Sequence, residues 1–177
     1  MKIAQSNGAT FHFNENAQKF NCNKGIINEI VFDKKTIKSD YVIAGADYHF
    51  VEQTLIPPPY RRYNAAYWDK RKMAPSSLIW FLGINKKLSG LQHHNLFFDE
   101  DLIEHGKQIY DNPSWPDKPL FYVCMTSATE PQVAPDGCEN LFLLMPLAVG
   151  IEDKENIREK YLKTMLQRIE KHTGEKI

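Results

Sequence analysis

Residues 47–100 read DYHFVEQTLIPPPYRRYNAAYWDKRKMAPSSLIWFLGINKKLSGLQHHNLFFDE, and the order of elements in this stretch decides the fold. Asp47 is placed to cap a short helix running through Thr54, with Val51 and Leu55 on one face. Pro57-Pro58-Pro59 ends that helix, because proline has no amide donor and restricts the residue before it. Tyr60 to Met73 suits a second helix with Tyr63 and Tyr67 on one side. After Pro75, Ser77 to Ile84 is nearly continuous apolar sequence rich in β-formers, the pattern of a central strand covered on both faces. A polar loop then leads to a further strand, His94 to Phe98.

Working outward, the N-terminal side reads as short strands with frequent turns. Met1 to Ser6 is the end of a helix stopped by Gly8. Thr10 to Phe13, Ala17 to Cys22, Ile26 to Phe32, Thr36 to Lys38 and a buried Tyr41 to Ala44 follow as strands, with Asn23-Lys24-Gly25 as a hairpin turn. On the C-terminal side, Asp99-Glu100-Asp101 marks a helix start for Leu102 to Tyr110. Phe121 to Thr126 and Leu141 to Val149 read as strands, the second reaching an edge or bulge at Pro146. Ile157, Tyr161, Met165 and Ile169 recur every four residues, so a final helix is expected, with Asp153 as its cap and Gly174 as its stop. The expectation is an α+β domain: an antiparallel or mixed sheet with helices on one side, preceded by a separate sub-sheet over residues 1–46.

Bulk properties exclude several classes. Lys plus Arg and Asp plus Glu stand at 22 each, so no net field draws the chain to nucleic acid. Three cysteines without CxxC spacing argue against a disulfide framework or zinc finger. No run of apolar residues reaches the length of a membrane span and no signal sequence opens the chain, so the expected location is cytoplasmic. No two of the nine glycines lie two residues apart, which excludes a dinucleotide fingerprint within these residues.

Few residues carry chemistry outright. Adjacent histidines on a strand point to opposite faces, so His93 and His94 are expected to diverge; two readings stand, one imidazole facing a substrate cavity or both satisfied by local hydrogen bonds. No metal centre is expected from His49, His93 and His94, since neither carboxylate nor cysteine sits at ligand spacing. Cys124, inside an apolar strand, reads as an inert core thiol. The clusters Tyr60-Arg61-Arg62-Tyr63 and Trp68 to Lys72 suit a peripheral membrane contact, or a solvated face with arginine stems on aromatic rings.

Several motifs in order add a resemblance. Asp47-Tyr48-His49, Val51-Glu52-Gln53, Tyr60-Arg61, Tyr67-Trp68, Ala74-Pro75-Ser76, Leu82-Gly83 and His93-His94-Asn95-Leu96-Phe97-Phe98 resemble the middle of phytoene desaturases, flavin-dependent enzymes that oxidise carotenoid precursors. Asp40 to Asp47, Leu120 to Cys124 and Ala134 to Phe142 extend the similarity on both sides. The resemblance implies residues 1–46 as part of a flavin domain and 47–177 as a substrate-side domain like that of FAD-dependent, amine-oxidase-like flavoenzymes. It further implies an excised piece of a longer enzyme that by itself is inactive, does not hold FAD tightly and self-associates through uncovered apolar surface. By resemblance Ala17 and Gly45 would lie near the cofactor, though Gly45 replaces the family's usual asparagine and Ala17 its frequent valine. Trp80, Phe81, Phe97, Phe98, Tyr122 and Met145 are the expected lining for a hydrophobic polyene, and Glu52 and His94 the candidate acid or base. A carotenoid isomerase, a polyene saturase, or a non-catalytic lipid- or polyene-binding module are the alternatives.

Overall fold

The hairpin expected around Asn23-Lys24-Gly25 joins β1 (Ala17–Asn23) to β2 (Ile26–Phe32) in antiparallel pairing. Lys24 and Gly25 both take positive φ, 50° and 82°, the two-residue loop whose twist matches that of the strands. β3 (Thr36–Lys38) pairs with β2 and completes a three-stranded sheet. Asp47 caps as expected, accepting from the Phe50 amide at 2.7 Å. The helical turn α2 (Tyr48–Phe50) widens at once into a π-helical turn, Val51–Leu55. Val51 and Leu55 bury against Phe20 of β1, with Ile30 and Val42 packed around them.

The computed structural model describes all 177 residues, and they divide into two compact units, Met1–Arg71 and Lys72–Ile177. The boundary expected at Asp47 therefore falls inside the first unit, because the helix that Asp47 opens packs onto the β1–β2 hairpin. Three expected elements also differ. Thr10 to Phe13 and Tyr41 to Ala44 are not strands, and Tyr41 and Ile43 are 89% and 97% exposed. The sheet ends at β1 and β3, so neither segment has a strand to bond with. The helix expected over Tyr60 to Met73 is reduced to a 3-10 turn, Pro58–Tyr60, and α3 (Ala65–Asp69). Between them Glu52 takes the amides of Arg62 and Tyr63, and Asn64 restarts the helix by accepting from the Tyr67 amide at 2.9 Å.

The second unit is an antiparallel sheet of β4 (Ser76–Ile84), β5 (His94–Phe97), β6 (Phe121–Cys124) and β7 (Glu139–Leu147), in the order β4-β7-β6-β5. β4 is thus an edge strand covered on one face, not a central strand covered on both. Its continuous apolar run conceals an alternation: Leu78, Trp80 and Leu82 pack on the core while Ile79 and Phe81 do not. The last helix, α5 (Ile157–Thr173), lays Tyr161, Met165 and Ile169 on Leu141, Leu143 and Met145 of β7. Gly174 stops it at φ 74°, as expected. Asp153 does not cap it; Asn156 takes that position and Asp153 pairs with Arg158.

α4 (Leu102–Tyr110) begins as expected, with Asp101 accepting from the amides of Ile103 and Glu104. It delivers His105, 3% exposed, whose Nδ1 accepts from the Leu120 amide and whose Nε2–H donates to the Pro146 carbonyl. That contact explains a proline inside β7. The β6 ladder stops at Leu144, so the side of Pro146 away from β4 needs no amide donor, and its carbonyl is taken by His105.

Candidate functional site

Strand alternation leaves one face of the second sheet without a helix. Two rows of side chains cross all four strands on that face. One runs Phe81, Phe142, Cys124, His94 and the other Ile79, Leu144, Tyr122, Leu96, each neighbour in a row being a register partner. Phe81 and Leu96 are 81% and 65% exposed. Phe142 joins the aromatic groups into a chain, with ring centroids 5.3 Å from Phe81 and 6.2 Å from Tyr122. At the strand spacing of a sheet, three steps make this face roughly 14 Å wide. So large an apolar area in water is unfavourable unless something apolar covers it.

One end of the face deepens into a groove of about 600 Å³ lined by Phe81, Gly83, Phe142, Cys124, Thr126 and Pro135. The 3-10 turns Thr126–Ala128 and Pro131–Val133 carry its wall. They are held by Ser127 and Asn140, which exchange hydrogen bonds of 3.1 Å, Ser127 N–H to Asn140 Oδ1 and Asn140 N–H to Ser127 Oγ.

The polar groups of the face gather at its β5–β6 corner. His94 Nδ1 lies 2.6 Å from the Tyr122 hydroxyl, and His93 Nδ1 2.6 Å from Thr129 Oγ1. The two imidazoles do not diverge as expected. His93 precedes β5 instead of lying within it, and the ring centroids are 4.3 Å apart. Cys124 is not a core thiol but half-buried on the open face, opposite His94 in the ladder. The Cys124 thiol beside it, and then burial, push the Tyr122 phenol above its ordinary value. A cysteine far away in sequence reaches ligand spacing through antiparallel pairing, and the donor atoms of His93, His94 and Cys124 lie within 4.8 Å of one another.

The six aromatic and apolar residues expected to line one cavity do not share a face. Phe81 and Tyr122 are on the open face; Trp80, Phe97 and Met145 pack on the side covered by α5. Phe98 follows β5 and borders a second groove beside Asp99 and Arg168. Ile79, Leu96, Phe142 and Leu144 also lie on the open face, Phe142 and Leu144 as the β7 partners of Phe81 and Tyr122.

Glu52 belongs to the first unit, 1% exposed, and is engaged by five donors. Its Oε1 accepts from the amides of Arg62 (2.9 Å) and Tyr63 (3.1 Å) and the Tyr48 hydroxyl, and its Oε2 from the Trp68 indole (2.9 Å) and Gln53. Burial pushes this carboxyl upward, but the bonds from Trp68, Tyr63, Arg62 and Tyr48 outweigh it and hold it below the ordinary carboxylate value. Such a group acts as a bracket for the 60–69 segment. Around it Tyr63 stacks on Tyr67 with centroids 4.0 Å apart, and Arg62 and Arg71 lie over the two rings. Ala17 begins β1 against the small core, and Gly45 lies in the exposed stretch before Asp47.

The chain is 35% identical over 175 residues to a carotenoid 3,4-desaturase of Haloarcula japonica, covering 98% of this chain and 35% of that protein. It is 30% identical to a 1-hydroxycarotenoid 3,4-desaturase of a Flavobacterium species, over 96% of this chain and 34% of the relative. A phytoene desaturase of Phycomyces blakesleeanus is 26% identical over 87% of the chain. The chain is a homologue of the carotenoid desaturases. It spans about a third of the length of the carotenoid desaturases it matches. No protein-family model matches it. The fold of the chain is also that of a crystal structure of an oxidoreductase from Methanosarcina mazei, with a TM-score of 0.57 and 14% identity over 97% of this chain and 36% of that one. The β1–β2 segment is not a strand–turn–helix cradle for a dinucleotide. In the first unit the turn from β1 leads to β2, not to a helix whose first amides would bind a pyrophosphate. No helix of the chain is long and apolar enough to cross a membrane.

Proposed function

We propose that this chain is the substrate-side portion of an FAD-dependent carotenoid desaturase, and that the open face of the β4-β7-β6-β5 sheet is one wall of its polyene site. The observation that carries this reading is the pair of apolar rows on the open face, Phe81-Phe142 across two strands and Ile79-Leu144-Tyr122-Leu96 across all four, uncovered in the isolated chain. A long hydrocarbon lying across them would remove both its own surface and theirs from water, at about 25 cal/mol for each Å² of apolar area buried. Homology to proteins that desaturate carotenoids supports the reaction class, removal of hydrogen across a carbon–carbon bond of a polyene. FAD, when bound to the parent enzyme, would accept that hydride. The part proposed for this chain's own residues is to hold the hydrocarbon, exclude water and set its register. The isolated chain is accordingly proposed to be inactive. His94 is the protic group nearest to the hydrocarbon wall, and its bond to Tyr122 fixes its ring.

The test is co-sedimentation of the chain with liposomes that do or do not contain phytoene. Phytoene is expected to increase binding, and Phe81→Asp or Leu96→Asp to reduce the increment about tenfold, each replacing an exposed apolar contact by a charge. Leu102→Asp, at an exposed position of α4, should leave it unchanged. Equal binding to loaded and empty vesicles, insensitive to Phe81, would refute the reading. Binding to empty anionic vesicles reports separately on a peripheral membrane contact.

A further inference from the structure

We infer that His93, His94 and Cys124 form a binding site for a thiophilic divalent cation of the zinc type, at the β5–β6 corner of the open face. The backbone places these three ligands together. Cys124 and His94 are direct partners in the ladder and so share a face with their Cβ atoms roughly 5 Å apart. The Met125 amide donates to the His93 carbonyl at 2.9 Å just beyond the end of the ladder, and the His93 ring lies 4.3 Å from that of His94, centroid to centroid. One ring nitrogen of each histidine and the Cys124 sulfur lie within 4.8 Å of one another. Contraction by roughly 1 Å, within reach of side-chain rotation, brings them to zinc distances of about 2.0–2.1 Å for nitrogen and 2.3 Å for sulfur.

The hydrogen bonds of the two rings leave one nitrogen of each free for coordination. Each Nδ1 is already engaged by a hydroxyl oxygen, Tyr122 for His94 and Thr129 for His93, both at 2.6 Å. With Nδ1–H donated to that oxygen, Nε2 presents a bare lone pair; metal-binding histidines have this second partner as a rule. Thr129 and Tyr122 are thus positioning residues for the ligands. Two imidazoles and a thiolate are a borderline-soft donor set, which selects zinc-type ions over magnesium or calcium. Three protein ligands leave a fourth position, and Cys124 and Thr126 line the 600 Å³ groove, so that position opens toward the space beside the aromatic row. Binding replaces the Cys124 thiol proton, which leaves to solvent; no electron is transferred.

Cobalt(II) is the probe, and the chain carrying Cys22→Ser and Cys138→Ser, with Cys124 its one remaining thiol, is the protein. Addition of cobalt(II) should give visible d–d bands of four-coordinate geometry and a sulfur-to-cobalt charge-transfer band near the ultraviolet, both bleached by zinc(II). Cys124→Ser should abolish the charge-transfer band. His93→Ala or His94→Ala should each weaken binding more than tenfold, and Thr129→Val about tenfold through the lost partner of His93. A second reading uses the unaltered chain: zinc(II) should slow alkylation of Cys124, followed by peptide mass analysis, but not of Cys22. Absence of the charge-transfer band, a band that survives His93→Ala/His94→Ala together, or alkylation of Cys124 at the same rate with and without zinc(II) would each overturn the inference. None of these readouts requires catalysis, so failure here is distinct from failure of the polyene site.

Discussion

At the residue scale two buried ionisable groups control stability in opposite parts of the chain. His105 is neutral in the fold because burial lowers its pKa more than the bond to the Pro146 carbonyl raises it, and its Nδ1 must stay bare to accept from Leu120. A folded pKa below the unfolded value means that the unfolded chain takes up the proton first. Stability is therefore complete above about pH 6.5, the ordinary imidazole value, and declines as pH falls through it. Urea midpoints measured between pH 7.5 and 5.5 should fall, and His105→Gln should flatten the dependence while lowering the midpoint at pH 7.5. Glu52 has its pKa depressed by its donors, so its contribution is present above the ordinary carboxyl value and is lost as pH falls through the folded one. Glu52→Ala should raise hydrogen exchange at the Arg62 and Tyr63 amides about tenfold or more, since both lose a charged acceptor. Unchanged exchange would show that these amides are held by something else.

At the element scale, α5 and β7 were the most legible parts of the chain, and for the same reason. Each has one face against the core, so the apolar period of the sequence matches the period of the element: four residues in α5 and two in β7. Met165, fully buried between them, should cost about 2–5 kcal/mol when truncated to alanine, read from urea denaturation. β4 was less legible. Its run from Ser77 to Ile84 is apolar on both sides, and composition alone does not distinguish a strand buried on both faces from one whose outer face waits for another surface. The segment from Tyr60 to Met73 departs from a single helix because the competing partner is distant. Glu52 lies ten residues before Arg62, and its claim on two amides breaks the helical pattern.

At the scale of the whole molecule, the uncovered face of the second sheet has a consequence in solution. Apolar area of this extent tends to be covered by a second copy when nothing else covers it. Sedimentation velocity at rising concentration should show self-association, and Phe81→Asp together with Leu96→Asp should shift the chain toward monomer without lowering its urea midpoint, because both side chains are mostly exposed. Monomer at all concentrations, or association insensitive to these changes, would count against it.

Sequence alone determined what depends on neighbours close along the chain: the β1–β2 turn, the Asp47 and Asp101 caps, the Gly174 stop, the α5 stripe and homology to carotenoid desaturases. Tertiary structure alone decided what depends on strand order and register. It set β4 at an edge, placed Phe81 and Tyr122 on the open face while turning Trp80 and Met145 inward, and carried Cys124 across to His94. The physical reason is that side-chain period is a local property of a backbone conformation, whereas the partner across a ladder is chosen by loop closure and by which face is buried.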